Sequence, residues 1–180
     1  MSKKVVIISS SMRKQGNSAL LAQAFSKGAQ ESGHAVQYVE LADMQLQYCK
    51  GCLACQKMHK CVIHDDMEKL LPVLQEADIL VFASPVYYYS ICGQLKTFLD
   101  RTNPLFGTEC AFHDIYVLLA AAEDEAYTPE GAVKAVQGWI DCYEQTHLAG
   151  VVFAGGVTGV GEVKEHAALQ QAYEMGKSIK

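Results

Sequence analysis

The chain has 180 residues, half of them apolar and 19% charged, with a formal net charge of −5. That length suits one ordinary domain, 1–180, with a core of its own, and the composition excludes a disordered chain. The lysines are scattered on an acidic chain, which argues against nucleic-acid binding, where Lys and Arg must cluster.

The first apolar run, Val5–Ile8, is β-branched throughout and predicts a strand buried on both faces. It is too short for a secretory or membrane-spanning segment, so a cytoplasmic, membrane-free protein is expected. Seven cysteines in that compartment are expected to be thiols, metal ligands or redox groups rather than structural disulfides. A polar loop, Ser9–Ser18, follows. Ala19–Gln30 has helical spacing, with Leu20, Leu21, Ala24 and Phe25 on one side and Gly33 as a stop. Val36–Leu41 alternates as a second strand. Ala42–His64 is irregular, and long loops in compact domains are usually functional. Asp65–Gln75 predicts a helix, Ile79–Ala83 a third strand and Gln94–Arg101 a helix. Ile115–Ala121 predicts a fourth strand, Ala132–Tyr143 a helix, Leu148–Ala154 a fifth strand and Glu162–Lys180 a closing helix. Alternation of this kind predicts a flavodoxin-like doubly wound α/β fold: five parallel strands in the order 2-1-3-4-5, with helices on both faces.

In such sheets ligands bind beyond the strand C-termini, where the strand order reverses. The first loop lies there. It offers four hydroxyls (Ser9, Ser10, Ser11, Ser18), two amides (Gln15, Asn17) and Arg13, and then opens a helix whose N-terminus favours an anion. It matches neither a Walker loop nor a Gly-x-Gly-x-x-Gly fingerprint. Helix capping and turn formation are the competing explanation for its Ser and Asn residues. After the third strand, Pro85 is expected to fix a turn. Tyr87, Tyr88 and Tyr89 there offer flat faces with polar tips, suited to a heteroaromatic ring or to plain packing.

Together these loops resemble the NAD(P)H-dependent FMN reductase family of flavodoxin-like proteins. Ser10-Ser11-Met12-Arg13-Lys14-Gln15-Gly16-Asn17-Ser18 is similar to its first loop, with Ser10 for Gly and Met12 for Pro. Ser84-Pro85-Val86-Tyr87, with Lys96, Phe98 and Asp100-Arg101, is similar to its second. The resemblance implies an FMN phosphate held by Ser9, Ser11, Arg13, Gln15, Asn17 and Ser18. It implies a ribityl chain and ring lined by Pro85, Val86, Tyr87, Tyr88 and Tyr89. NAD(P)H would be the co-substrate. The third loop, Ala120–Glu125, departs from the family by being acidic, and its carboxylates would repel a phosphorylated nucleotide unless they cap the next helix or face solvent.

Cys49, Cys52, Cys55 and Cys61 form Cys-x2-Cys-x2-Cys-x5-Cys. The first three match the compact run of bacterial ferredoxins, whereas structural zinc usually separates its ligand pairs further. The segment resembles that of the iron–sulfur flavoproteins, which implies a [4Fe–4S] cluster. Free thiols, zinc and a redox disulfide stay open. Cys92, Cys110 and Cys142 read as small buried hydrophobes. His59 and His64 flank the motif without a necessary role.

The expected activity is hydride transfer from nicotinamide to flavin N5 and on to a small acceptor such as a quinone or flavin, with the chemistry supplied by the flavin. The alternative is an electron carrier between a [4Fe–4S] cluster and FMN, partnered by a ferredoxin-like protein. A thiol-based sensing module is a third class. A homodimer or homotetramer is expected.

Overall fold

The computed structural model describes residues 1–180. Five parallel strands form the sheet: β1 Lys4–Ser9, β2 Ala35–Glu40, β3 Ile79–Tyr87, β5 Asp114–Ala120 and β6 His147–Ala154, in the order β2-β1-β3-β5-β6. This is the predicted 2-1-3-4-5 order. It carries one extra element, the two-residue β4 (Ser90–Ile91), which pairs antiparallel with the end of β3.

The β-branched run of β1 is buried because both of its faces are covered. Val5 and Ile7 enter a core with Leu21 and Phe25 of α1 (Asn17–Glu31) and Ala168 and Ala172 of α6 (Ala167–Lys177). Val6 and Ile8 enter the opposite core, with Leu70 of α3 (Met67–Gln75), Phe98 of α4 (Gly93–Arg101) and Val136 of α5 (Glu130–Ile140). The period-2 alternation of a strand produces this division. In the second core Phe82 meets the Trp139 ring edge-on at 5.3 Å.

Helices α1 and α6 pack backbone against backbone. A Cβ on Gly28 would sit 2.1 Å from the Tyr173 carbonyl oxygen, and one on Gly176 would sit 2.1 Å from that of Phe25. Only glycine permits that approach.

Four expectations are corrected. The third strand does not stop at Ala83 but runs through Ser84 and Pro85 to Tyr87. Pro85 therefore fixes no turn; it lies beyond the last β1–β3 pair, Ser9 with Ala83, where a strand edge tolerates proline. The closing helix begins at Ala167, because Glu162–Glu165 is a separate 3-10 turn and the His166 side chain caps α6 by accepting from the Ala168 N–H. Of the three scattered cysteines only Cys92 is buried; Cys110 is half-buried and Cys142 exposed, since both sit where the chain turns at the start of β5 and the end of α5. Within the long Ala42–His64 stretch the one regular helix is α2, Cys55–Met58.

Candidate flavin site and cysteine segment

The loop after β1 folds around one glycine. The Ser11 hydroxyl donates to the Arg13 carbonyl at 3.0 Å and accepts from the Arg13 N–H at 3.2 Å, while the Gly16 N–H bonds the same carbonyl at 2.8 Å. A Cβ on Gly16 would lie 2.3 Å from the Ser11 hydroxyl. Helix α1 then starts with no side-chain cap and no acidic residue in its first turn. The N–H groups of Asn17, Ser18 and Ala19 donate to no protein acceptor. Unmet first-turn donors and the helix dipole suit a phosphate, so this end of the fold fits the phosphate of FMN.

The predicted phosphate residues divide. Ser9 ends β1, buried between Glu40 and Ala83. Ser11 and Ser18 are buried at the loop, and Gln15 is exposed beside it. The Arg13 guanidinium reaches the Thr158 carbonyl at 3.2 Å. The Asn17 side chain is already committed: Nδ2 donates to the Gly159 carbonyl at 2.9 Å, and Oδ1 accepts from the Val163 N–H at 3.2 Å. Its amide stitches α1 to the loop after β6, leaving its backbone N–H as the group open to a ligand. Ser10, also buried, ties β1 to the neighbouring segments: its hydroxyl donates to the Ala83 carbonyl at 2.7 Å and receives the Cys92 thiol at 3.1 Å.

The second loop is a hairpin. Val86 pairs with Ile91 and Tyr87 with Ser90, leaving Tyr88 and Tyr89 as a two-residue turn. Both have positive φ, 49° and 60°. That is the pattern of a type I′ turn, which normally takes Asn-Gly. Aromatic residues there are strained by about 1–3 kcal/mol each. Tyr88 is fully exposed at the tip. Tyr89 is pulled aside: its ring centroid is 5.9 Å from that of Tyr127, its hydroxyl donates to Glu123 Oε1 at 3.4 Å, and a Cβ on Gly131 would meet its carbonyl at 2.2 Å. Pro85 and Val86 are half-buried and Tyr87 exposed beneath the turn. The five predicted ring residues therefore form one strand end and its turn, with Tyr89 facing the β5–α5 loop.

Glu123 does not simply face solvent. Besides Tyr89 it accepts from the Tyr127 hydroxyl at 3.4 Å and from Thr128 Oγ1 at 2.9 Å. Hydrogen bonding to this carboxylate, then its charge, pushes the Tyr89 phenol above its ordinary pKa. Asp124 lies over Gly155, where a Cβ would meet its Oδ1 at 2.0 Å. The glycine-rich segment 155–161 after β6 thus joins the site border through Arg13, Asn17 and Asp124. Sequence reasoning passed over it, although a glycine run directly after a strand was the available signal.

The cysteine segment lies along α4. Arg101, at the helix end, is 1% exposed and pairs with Asp65, 4% exposed, through NH1–Oδ2 at 2.6 Å and NH2–Oδ1 at 2.9 Å. It also donates to the Gln47 carbonyl at 2.7 Å. Burial works against the Arg101 charge, but Asp65 and, more weakly, neighbouring Cys61 raise its pKa. Its Nε is a buried atom without a hydrogen-bond partner. Asn103 Nδ2 donates to Cys55 Sγ at 3.0 Å. Cys55 is buried, Cys61 half-buried, and Cys49 and Cys52 are exposed. No three His, Cys, Asp or Glu groups come close enough to share a metal ion. The donor set suits a sulfur-ligated centre, with Asn103 beside Cys55 and the Arg101 guanidinium beside Cys61, but the four thiols are not brought together. Cys49, Cys55 and Cys61 lie by the C-terminal end of α4, the end away from the hairpin.

A groove of about 370 Å³ runs beside α4, lined by Met12, Leu41, Tyr48, Gln94, Lys96 and Asp100 among others. A larger cavity of about 850 Å³ borders Lys3, Asp78, His113 and Thr146. These residues precede strands, so that cavity opens on the edge opposite the switch point and is not the expected ligand site.

Residues 3–177 match the NADPH-dependent FMN reductase family. An iron–sulfur flavoprotein of Archaeoglobus fulgidus is 31% identical over 98% of this chain and 78% of its own length. Another, from Methanocaldococcus jannaschii, is 39% identical over 57% of this chain and 53% of its own, about half of that relative. In fold, the chain is similar to an NAD(P)H:quinone oxidoreductase from Methanothermobacter marburgensis, with a TM-score of 0.76, 18% identity and coverage of 98% and 96% of the two chains. With a flavodoxin-like sheet, an uncapped helix at its switch point and a family match over nearly its whole length, the chain belongs to the NADPH-dependent FMN reductase family of flavoprotein oxidoreductases.

Proposed function

We propose that this chain binds FMN at the C-terminal edge of its sheet and uses it to reduce a small acceptor with electrons from NAD(P)H. The uncapped N-terminus of α1, with its unmet N–H groups at the end of β1, carries this reading. The phosphate would sit against the backbone of residues 16–19, with Ser11 and Ser18 beside it and Arg13 at the rim. Pro85, Val86 and Tyr87 would run along the ribityl chain toward the ring, and Tyr88 and Tyr89 would border the ring itself. When bound, FMN supplies the hydride chemistry; the protein holds, orients and shields it. Quinones, flavins and azo compounds are suitable acceptors, being flat enough to stack on an open ring site. The family relationship supports this class, and no conventional acid–base pair is required.

The test is apoprotein titration with FMN. Ser11→Asp puts a carboxylate against the phosphate and is expected to weaken FMN binding by at least tenfold. Unchanged affinity refutes the phosphate assignment. NADH and NADPH are compared in quinone and azo-dye reduction by the FMN-loaded chain, and failure of both to reduce it refutes the reductase reading.

A second reading is favoured by the four thiols on one short segment, two of them beside Arg101 and Asn103, and by relatives named iron–sulfur flavoproteins. Here Cys49, Cys52, Cys55 and Cys61 would hold a [4Fe–4S] cluster once the segment closes, and a ferredoxin-like protein would be the electron partner. Anaerobically purified and reconstituted protein should then contain about four irons and four sulfides per chain; absence of both ends this reading. A homodimer or homotetramer, tested by light scattering, completes the proposal.

A further inference from the structure

We propose that Glu123 is a positioning residue of the ring site: it latches Tyr89 onto the β5–α5 loop, so that Tyr88 alone is left as the exposed aromatic face at the ring. The inference rests on the ring-site reading above and deepens it.

Three hydroxyls converge on one carboxylate. Tyr89 and Tyr127 donate to Oε1 and Thr128 donates to Oε2, at 3.4, 3.4 and 2.9 Å. The donors come from two segments far apart in sequence, the β3–β4 turn and the start of the α5 region. Glu123 is therefore the polar foothold that ties the Tyr89 hydroxyl to the β5–α5 loop. Two further contacts fix the same residue: the ring of Tyr127 lies against that of Tyr89, and Gly131 leaves room for the Tyr89 carbonyl.

The geometry of the turn makes the latch necessary. Tyr88 and Tyr89 both adopt left-handed backbone, which side chains with a Cβ avoid. Such a turn persists only if its surroundings hold it. The Tyr89 side chain does so through Tyr127 and Glu123. Tyr88, with φ 49°, is fully exposed. One turn residue is thus an anchor and the other an unburied aromatic face at the mouth of the site. An acidic third loop, unusual beside a flavin, then has a structural use: its first carboxylate is spent on hydroxyls rather than pointed at the ring.

The test uses the apo chain, FMN and riboflavin. Riboflavin lacks the phosphate, so it reports on the ring end alone. Glu123→Ala and Tyr89→Phe are each expected to weaken both ligands about fivefold, the value of one net hydrogen bond. The FMN-to-riboflavin ratio should stay constant, whereas Ser11→Asp should lower it. The double variant should bind no more weakly than either single one, because both remove the same latch. Glu123→Gln keeps an acceptor oxygen and should restore most of the affinity. The visible circular dichroism of the bound flavin should change in Glu123→Ala and return in Glu123→Gln. Wild-type affinity in Glu123→Ala, fully additive losses in the double variant, or a loss confined to FMN would each overturn the latch. If the unaltered chain binds neither ligand, the ring-site reading itself fails, and the latch with it.

Discussion

Arg101 and Asp65 form the most deeply buried ion pair in the molecule, and their partners explain why. Asp65 also accepts from the N–H groups of Gln47 and Met67, at 2.8 and 3.1 Å. The pair thus pins both ends of the cysteine segment to the end of α4. Burial alone would raise the Asp65 pKa, but Arg101 and the two backbone donors outweigh it and hold the carboxyl below its usual value. A carboxyl depressed in the folded state stabilises the protein above its unfolded pKa, about 3.9, and that contribution is lost as pH falls through the lower folded value. Asp65→Asn leaves the guanidinium charged and uncompensated, which should cost about 3–5 kcal/mol. Urea unfolding at pH 7 measures the loss. Repeated between pH 5 and 2, it should show a weaker pH dependence in the variant than in the original chain. Asp65 and Arg101 looked unremarkable in the sequence, one as a helix-start acid and the other as part of an Asp-Arg ending. Their pairing spans 36 positions, and no local pattern encodes it.

Among the elements, the buried strands were legible because β-branched runs have few alternatives. Val5–Ile8 and Ile79–Ala83 lie inside β1 and β3. The β3–β4 hairpin was not legible, since Tyr-Tyr is not a turn dipeptide: Gly131 and Glu123, more than thirty residues downstream, make it possible. The α1–α6 contact poses the same difficulty. Gly28 and Gly176 look like weak helix residues until the two backbones meet through them. Gly28→Val should force these helices apart and lower stability by at least about 1–3 kcal/mol, read from the thermal unfolding midpoint. An unchanged midpoint would show that the close approach is dispensable. Because α1 opens at the first loop, the same substitution should also weaken FMN binding.

Taken as a whole, the molecule separates two kinds of chemistry along one helix. The proposed flavin ring lies at the start of α4 and the cysteine segment toward its end. The two sites should therefore be thermodynamically independent in a single chain. Cys49→Ser combined with Cys52→Ser is expected to leave FMN affinity within about twofold. It should also leave intact the rise in unfolding midpoint that FMN produces by binding only the folded state. A tenfold loss of affinity would mean that the cysteine segment reaches the flavin, through the same chain or through a neighbour.

Composition, the alternation of strands and helices and the two loops were enough to determine the doubly wound sheet, its strand order and the family. These features are carried by contiguous residues: periodicity reports burial, and loop chemistry reports what a switch point can hold. Tertiary structure decided how each loop residue is used. It committed the Asn17 amide to the loop after β6, drew Tyr89 away from Tyr88, turned Glu123 toward three hydroxyls and left the four cysteine sulfurs apart. Each outcome depends on a partner far along the chain. A side chain's hydrogen-bonding capacity is written in its identity, but whether a ligand or the protein itself takes it up is settled only when distant segments meet.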